Sequence, residues 1–175
     1  YTAPGIPIVY YGTEIALDGG EDPDNRRDMT FRADKEIIEY ISRLSEIRLS
    51  HPALTKGTFE MLYDDGGYAI FKREYEGNTA IIAINNATET KIADIPTDII
   101  GQDMELRGFL RDELIRSNGD TYTIGLDRDM VEIFNVKENS GVNYLFIGTM
   151  VVIYGGFAAI IFFLVRKRKK QNREE

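Results

Sequence analysis

The sequence predicts a mixed fold: an α/β unit at its start, an all-β antiparallel sandwich in its middle and one transmembrane helix near its end. Three observations predict it. A short apolar run at residues 7–11 (IPIVY) leads through a polar loop into a helical periodicity. Six β-rich runs separated by turn sequences occupy residues 59–136. A stretch of 22 residues, Tyr144 to Val165, contains no charged side chain.

The elements follow in order. Residues 7–11 come after a Pro-Gly pair and are fully apolar, as in a strand of a parallel sheet buried on both faces. Residues 12–33 hold Gly, Asp, Asn and Arg without sustained periodicity, and they read as a long loop of the kind that carries function. From Asp34, a fitting N-cap, Ile37, Ile38, Ile41, Leu44, Ile47 and Arg48 recur at spacings of three and four. That is one face of a helix. The helix should stop before His51-Pro52, because the residue preceding proline is pushed out of the helical region. A single βα unit cannot stand as a domain, since a parallel strand needs neighbours on both sides.

Strands are expected at Phe59–Tyr63, Tyr68–Tyr75, Thr79–Asn85, Met104–Leu110, Tyr122–Leu126 and Val131–Val136. Asp64-Asp65-Gly66-Gly67, Glu76-Gly77-Asn78 and Ser117-Asn118-Gly119-Asp120 supply turn chemistry between them. Short strands at this spacing predict an antiparallel sandwich. The division expected is 1–52 for the βα unit, 53–137 for the β-domain, 138–143 for a linker, 144–165 for the span and 166–175 for a basic tail.

The uncharged stretch would rise about 33 Å as a helix, enough to cross the hydrocarbon core. Arg166 to Lys170 (RKRKK) follow it at once, and clustered cations stay on the cytoplasmic side. The expectation is a single-pass protein of the cell membrane, with residues 1–143 outside, the tail in the cytoplasm and the lipid bilayer as one partner. The body before the span is acidic, with 15 Lys and Arg against 27 Asp and Glu. No nucleic-acid partner is expected for such a body. Cysteine is absent, which excludes disulfides, thiol nucleophiles and thiolate metal sites.

Three stretches together resemble the α-amylase family of glycosidases. PGIPIVYYGTEIALDGGEDPDNRRDMTF, Pro4 to Phe31, is similar to the eighth strand of that family's (β/α)₈ barrel and the loop above it. SRLSEIRLSHPALTKGTFEML, Ser42 to Leu62, resembles the last barrel helix and the entry to the family's C-terminal β-domain. The strand-rich region that follows is compatible with that domain. The resemblance implies the last βα unit of the barrel, then a C-terminal antiparallel β-sandwich. It also implies retaining hydrolysis of α-glucosidic bonds in starch or maltodextrins, by a nucleophilic carboxylate and a second carboxyl group. Those carboxyl groups are expected before Tyr1, so no catalytic residue is assigned here and residues 1–175 alone are expected to be inactive. A transglycosidase of the same family and a non-enzymatic carbohydrate-binding or transporter-accessory protein on the same scaffold are the alternatives.

By the same resemblance, Asp22 and Arg26 in DPDNR match positions that hydrogen-bond a glucose unit of an α-glucan or maltooligosaccharide. A carboxylate accepts from adjacent hydroxyls while a guanidinium donates in a fixed fork. From the residues alone, the competing reading is a loop ion pair that fixes the turn. No cofactor is required by this segment. Asp18, Glu21, Asp22 and Asp24 lack a calcium-loop spacing, and Arg26 and Arg27 would repel a cation; any calcium is left to a part of the enzyme outside these residues. Glu14 is expected to lock the turn after the first strand. One of Tyr10 and Tyr11 should approach the cleft. His51 is expected to cap helix carbonyls, and Asn86-Ala87-Thr88, a sequon by pattern, to form a turn.

Overall fold

The computed structural model describes residues 1–29, 35–139, 141 and 144–171. The chain forms two compact units, Tyr1–Asn139 and Ser140–Glu175. Asp34, the expected N-cap, lies outside the described residues. So do most of the expected linker after Asn139 and the tail beyond Gln171.

Helix α1 (Glu36–Ser50) ends at His51, whose extended backbone (φ −119°, ψ 101°) is what the following proline demands. Pro52 then starts the short helix α2 (Pro52–Lys56) at a position where its missing N–H costs nothing. Eight strands follow: β1 (Glu60–Asp64), β2 (Tyr68–Tyr75), β3 (Asn78–Asn85), β4 (Lys91–Pro96), β5 (Met104–Gly108), β6 (Leu114–Arg116), β7 (Thr121–Leu126) and β8 (Met130–Glu138). Helix α3 (Thr97–Ile100) joins β4 to β5. Every strand pairing is antiparallel.

A six-stranded sheet, in the order β1-β2-β3-β8-β5-β6, faces a two-stranded sheet of β4 and β7. Glu76 and Gly77 close the β2–β3 hairpin with φ of 45° and 80°, the paired positive values of a tight hairpin turn. Between the sheets lies the main core: Tyr68, Ile70, Ile81, Ala83, Ala93, Ile95, Ile100, Leu106, Tyr122, Ile124, Leu126, Phe134 and Val136. The opposite face of the large sheet, through Phe71, Ala80, Ile82 and Ile133, packs with Ile47 of α1 and Ala53 and Leu54 of α2. Side chains alternate along a strand, so β2 and β3 feed both cores. Each large apolar side chain removed from water contributes about 1.5–3 kcal/mol. Tyr68 satisfies its hydroxyl by donating to Ile124 O at 2.8 Å.

Several expectations need correction. Residues 7–11 form no strand: no ladder among the described residues takes them, and Ile6 and Ile8 are each 89% exposed. A parallel strand exists only by virtue of its neighbours, and the chain supplies none at this place. The expected buried face of α1 is half realised. Ile47 and Arg48 are buried, but Ile37 and Ile38 are exposed because only the C-terminal half of the helix packs with α2 and the sheet. Strands β4 and β6 and helices α2 and α3 were not predicted. β4 (KIADIP) carries an interior Asp and a terminal Pro that mask its alternation, and β6 has only three residues. β5 stops at Gly108 rather than Leu110, because the chain turns there and Gly108 N donates to Glu113 O at 2.7 Å.

In the second unit, helix α4 (Tyr144–Gln171) runs for 28 residues and continues past Val165 through the basic run. Its segment Tyr144–Phe162 is long and apolar enough to cross a membrane, and none of it is buried within the structure.

Candidate functional site

Two buried guanidinium groups hold the segment that leads into the loop. Arg48 on α1 donates to the carbonyls of Tyr1, Ala3 and Gly5. Arg73 on β2 donates to Thr58 O at 2.7 Å, to Gly57 O at 3.0 Å and to Thr2 O. They are 8% and 1% exposed, and neither has a carboxylate partner among the described residues. Burying a cation is costly unless its donors are met. Here backbone oxygens meet them, and the reward is a fixed path for residues 1–5. Burial, then the nearby charge of Arg48, lowers the Arg73 pKa from its ordinary value, but a guanidinium starts so high that it stays charged.

The loop opens with a sharp turn at Gly12, where φ is 85° and a Cβ would lie 2.7 Å from the Leu17 side chain. Backbone bonds secure it: Thr13 N donates to Tyr10 O at 3.0 Å and Leu17 N to Gly12 O at 2.9 Å. Glu14 makes none of these bonds, so the expected lock is the backbone itself. A second turn, Asp24–Arg26, follows the cis Asp22–Pro23 peptide. Asp24 N and Asn25 N both donate to Glu21 O, at 2.7 and 3.2 Å. Arg27 braces the turn through an ion pair with Asp24 and a bond to its carbonyl at 3.3 Å. From across the loop, the Tyr11 hydroxyl donates to Arg27 O at 3.2 Å. The structure thus gives Tyr11 a bracing role, while the Tyr10 ring remains 56% exposed.

That bracing leaves Asp22 and Arg26 facing outward on one turn. Their side chains are 69% and 72% exposed, and Arg26 Nη2 stands 3.8 Å from Asp22 Oδ1. This is too long for a hydrogen bond, and an exposed pair of this kind is worth little. The loop-fixing ion pair therefore belongs to Asp24 and Arg27, one turn further on. Asp22 and Arg26 retain an acceptor and a donor fork for a ligand. Beside them Asn25 Oδ1 is buried with no partner among the described residues. Also among the described residues, no group of three His, Asp or Glu is placed to hold a metal.

His51 corrects another expectation. Its ring meets Phe109 edge-on at 4.5 Å, and its Nδ1 is buried without a hydrogen-bond partner, so it caps no carbonyl. Its backbone serves instead, accepting from Leu54 N at 3.0 Å at the start of α2. Tyr63 and Tyr68 pack together at 5.7 Å, and Tyr75 lies under Lys56, as core and strand residues rather than a stacking platform. Sequence reasoning missed the roles of Arg48 and Arg73. A signal existed for Arg48, a charged residue at a core-facing position of the helical repeat; Arg73 had none.

Comparison with known proteins places these elements. The sequence profile of the Alpha-amylase C-terminal domain family matches residues 57–134. The chain is 34% identical to a beta/alpha-amylase of Paenibacillus polymyxa over 76% of its own length and 11% of that protein's. It is 32% identical to a cyclomaltodextrin glucanotransferase of Bacillus sp. (strain 1011), over 71% of its length and 17% of that protein's. Among solved structures, the α-amylase of Geobacillus thermoleovorans, complexed with acarbose, superposes with a TM-score of 0.77. The identity is 49%, over 79% of this chain and 31% of that one. This share exceeds what residues 57–175 contain, so the likeness reaches upstream of the C-terminal domain. The chain spans less than a fifth of these two curated relatives and under a third of the solved one. Its antiparallel domain, its matched profile and these relatives support a fragment of the α-amylase family.

Proposed function

We propose that the chain is the C-terminal part of a membrane-anchored glycosidase acting on the α-glucosidic bonds of starch or maltodextrins. One observation carries the reading: Asp22 and Arg26 project together from a braced turn, in a chain 49% identical to an α-amylase complexed with acarbose. In this reading residues 1–52 end the catalytic barrel, residues 7–11 become its strand once the rest of the barrel lies beside them, and the loop at 12–29 walls the cleft at that strand's C-terminal end, where such barrels keep their chemistry. Asp22 accepts from two hydroxyls of a glucose unit and Arg26 donates to the same ring. The nucleophile and the acid lie elsewhere in the enzyme.

The test is activity of the full-length protein on maltooligosaccharides. Release of reducing sugar with net retention of configuration is the expected result, and binding without turnover would favour a carbohydrate-binding protein instead. Kinship with a cyclomaltodextrin glucanotransferase supports transfer as the second reading. Products longer than the starting oligosaccharide would identify it.

The anchor is α4, with its apolar stretch crossing the bilayer and the basic run on the cytoplasmic side. Protease added to intact spheroplasts is expected to digest the acidic body and leave the tail epitope protected. Protection of the body would overturn this topology.

A further inference from the structure

A cavity of about 380 Å³, sharing no residue with the loop at 12–29, opens beside α1, β5 and β8. Its lining carries three cations, Arg43, Arg107 and Lys137, with one carboxylate, Asp112, and with Asn135 and Phe109. That balance runs against the body of the protein, where acidic residues outnumber basic ones 27 to 15 before Tyr144. The sheet register explains how the charges gather. Arg107 lies directly opposite Asn135 and Lys137 opposite Glu105, so Arg107 and Lys137 are diagonal neighbours on one face. Diagonal neighbours with long side chains are within reach of each other, so these two like charges repel.

The neighbouring carboxylates, Asp112 paired with Arg107 and Glu105 opposite Lys137, offset only part of this charge. Asp112 takes only Nε of Arg107, at 2.9 Å, and Glu105 is drawn to Arg116 at 3.3 Å. Arg43 gives one Nη to Phe109 O. Among the described residues, the Lys137 ammonium, both Nη of Arg107 and the Asn135 amide have no protein partner. Unspent donors of three kinds border one cavity, which lies within the usual volume of small-ligand sites.

We propose that this cavity binds a phosphate group, either as free inorganic phosphate or as the phosphoryl group of a sugar phosphate. A tetrahedral dianion accepts simultaneously from a guanidinium fork, an ammonium and an amide. The volume leaves room for an attached sugar ring.

The test uses the full ¹⁵N-labelled chain in neutral detergent micelles, titrated with inorganic phosphate, glucose 6-phosphate, glucose and sodium chloride at matched ionic strength. Phosphate is expected to shift the Gly108 and Asn135 amides saturably, beyond the chloride control. Lys137→Gln and Arg107→Gln should each weaken the apparent affinity about tenfold, as loss of a charge-assisted contact implies. Both residues are exposed, so the amide spectrum elsewhere should remain that of the folded chain. Tighter binding of glucose 6-phosphate identifies a sugar phosphate as the ligand, and equal binding identifies free phosphate. Absence of saturation, unchanged affinity in both variants, or equal shifts with glucose would overturn the proposal.

Discussion

Asp22→Ala and Arg26→Ala, introduced into the full-length protein, are each expected to lower kcat/KM on maltooligosaccharides about tenfold to a hundredfold. The magnitude follows from losing hydrogen bonds with a charged partner, worth roughly 1.5–3 kcal/mol. Both side chains are more than two-thirds exposed and stand 3.8 Å apart, so neither is needed to hold the loop. The turn is braced by Arg27, Asp24 and Tyr11 instead. The variants should therefore fold and melt as the parent does, which separates a sugar contact from a structural one. The loss should be larger for chains that reach the distal glucose subsite than for short aryl glucosides that leave it empty. If both variants keep their activity on long substrates, the two residues are solvated loop charges and the proposed wall is elsewhere. Asp24→Ala is the contrasting control. It removes the turn's brace, so thermal stability and activity should fall together.

The largest stability effect is expected at Glu132, a carboxylate with no exposed surface. Its Oε1 accepts from Leu110 N at 2.8 Å and Ile133 N at 2.9 Å, and its Oε2 from Arg111 N at 3.0 Å and Arg111 Nε at 3.2 Å. This one side chain thus ties the turn after β5 to strand β8. Glu132→Ala leaves the donors without their acceptor, and breaking a buried charged contact from one side costs about 3–5 kcal/mol. Urea unfolding followed by tyrosine fluorescence should show the midpoint falling with an unchanged slope. Glu132→Gln should also destabilise, because its NH₂ would face a donor already aimed at it. A loss below about 1 kcal/mol for Glu132→Ala would mean that water satisfies the turn as well as the carboxylate does.

Most elements were legible in the sequence because their signals are local. The β2–β3 hairpin is written in two β-rich runs joined at Glu76-Gly77, and its turn needs no distant partner. The stop of α1 at His51 follows from the proline after it. The apolar stretch of α4 is readable because length and the absence of charge are properties of the segment itself. The outward pair at Asp22 and Arg26 was legible only through resemblance, since local sequence fits an ion pair as well.

What the tertiary structure decided depends on partners far along the chain. Residues 7–11 have the composition of a buried strand, yet strandedness requires a neighbour, and without one they join no ladder and stay largely exposed. The runs Tyr68–Phe71 in β2 and Ala80–Ile84 in β3 are apolar without a break, so alternation does not mark their two faces. Only the packing assigns Ile81 and Ala83 to one core and Ala80 and Ile82 to the other. Arg73 reads in sequence as a solvated strand charge, but it is buried because carbonyls from Thr2, Gly57 and Thr58 converge on it. The cationic cavity likewise exists only through the β5–β8 register, which brings Arg107 beside Asn135 and Lys137. The sequence by itself determined where the backbone turns, where it coils and which stretch can enter a membrane, because those preferences are set by neighbours along the chain. Which charges are buried and which donors converge was left to the fold, because contacts between residues distant in sequence decide them.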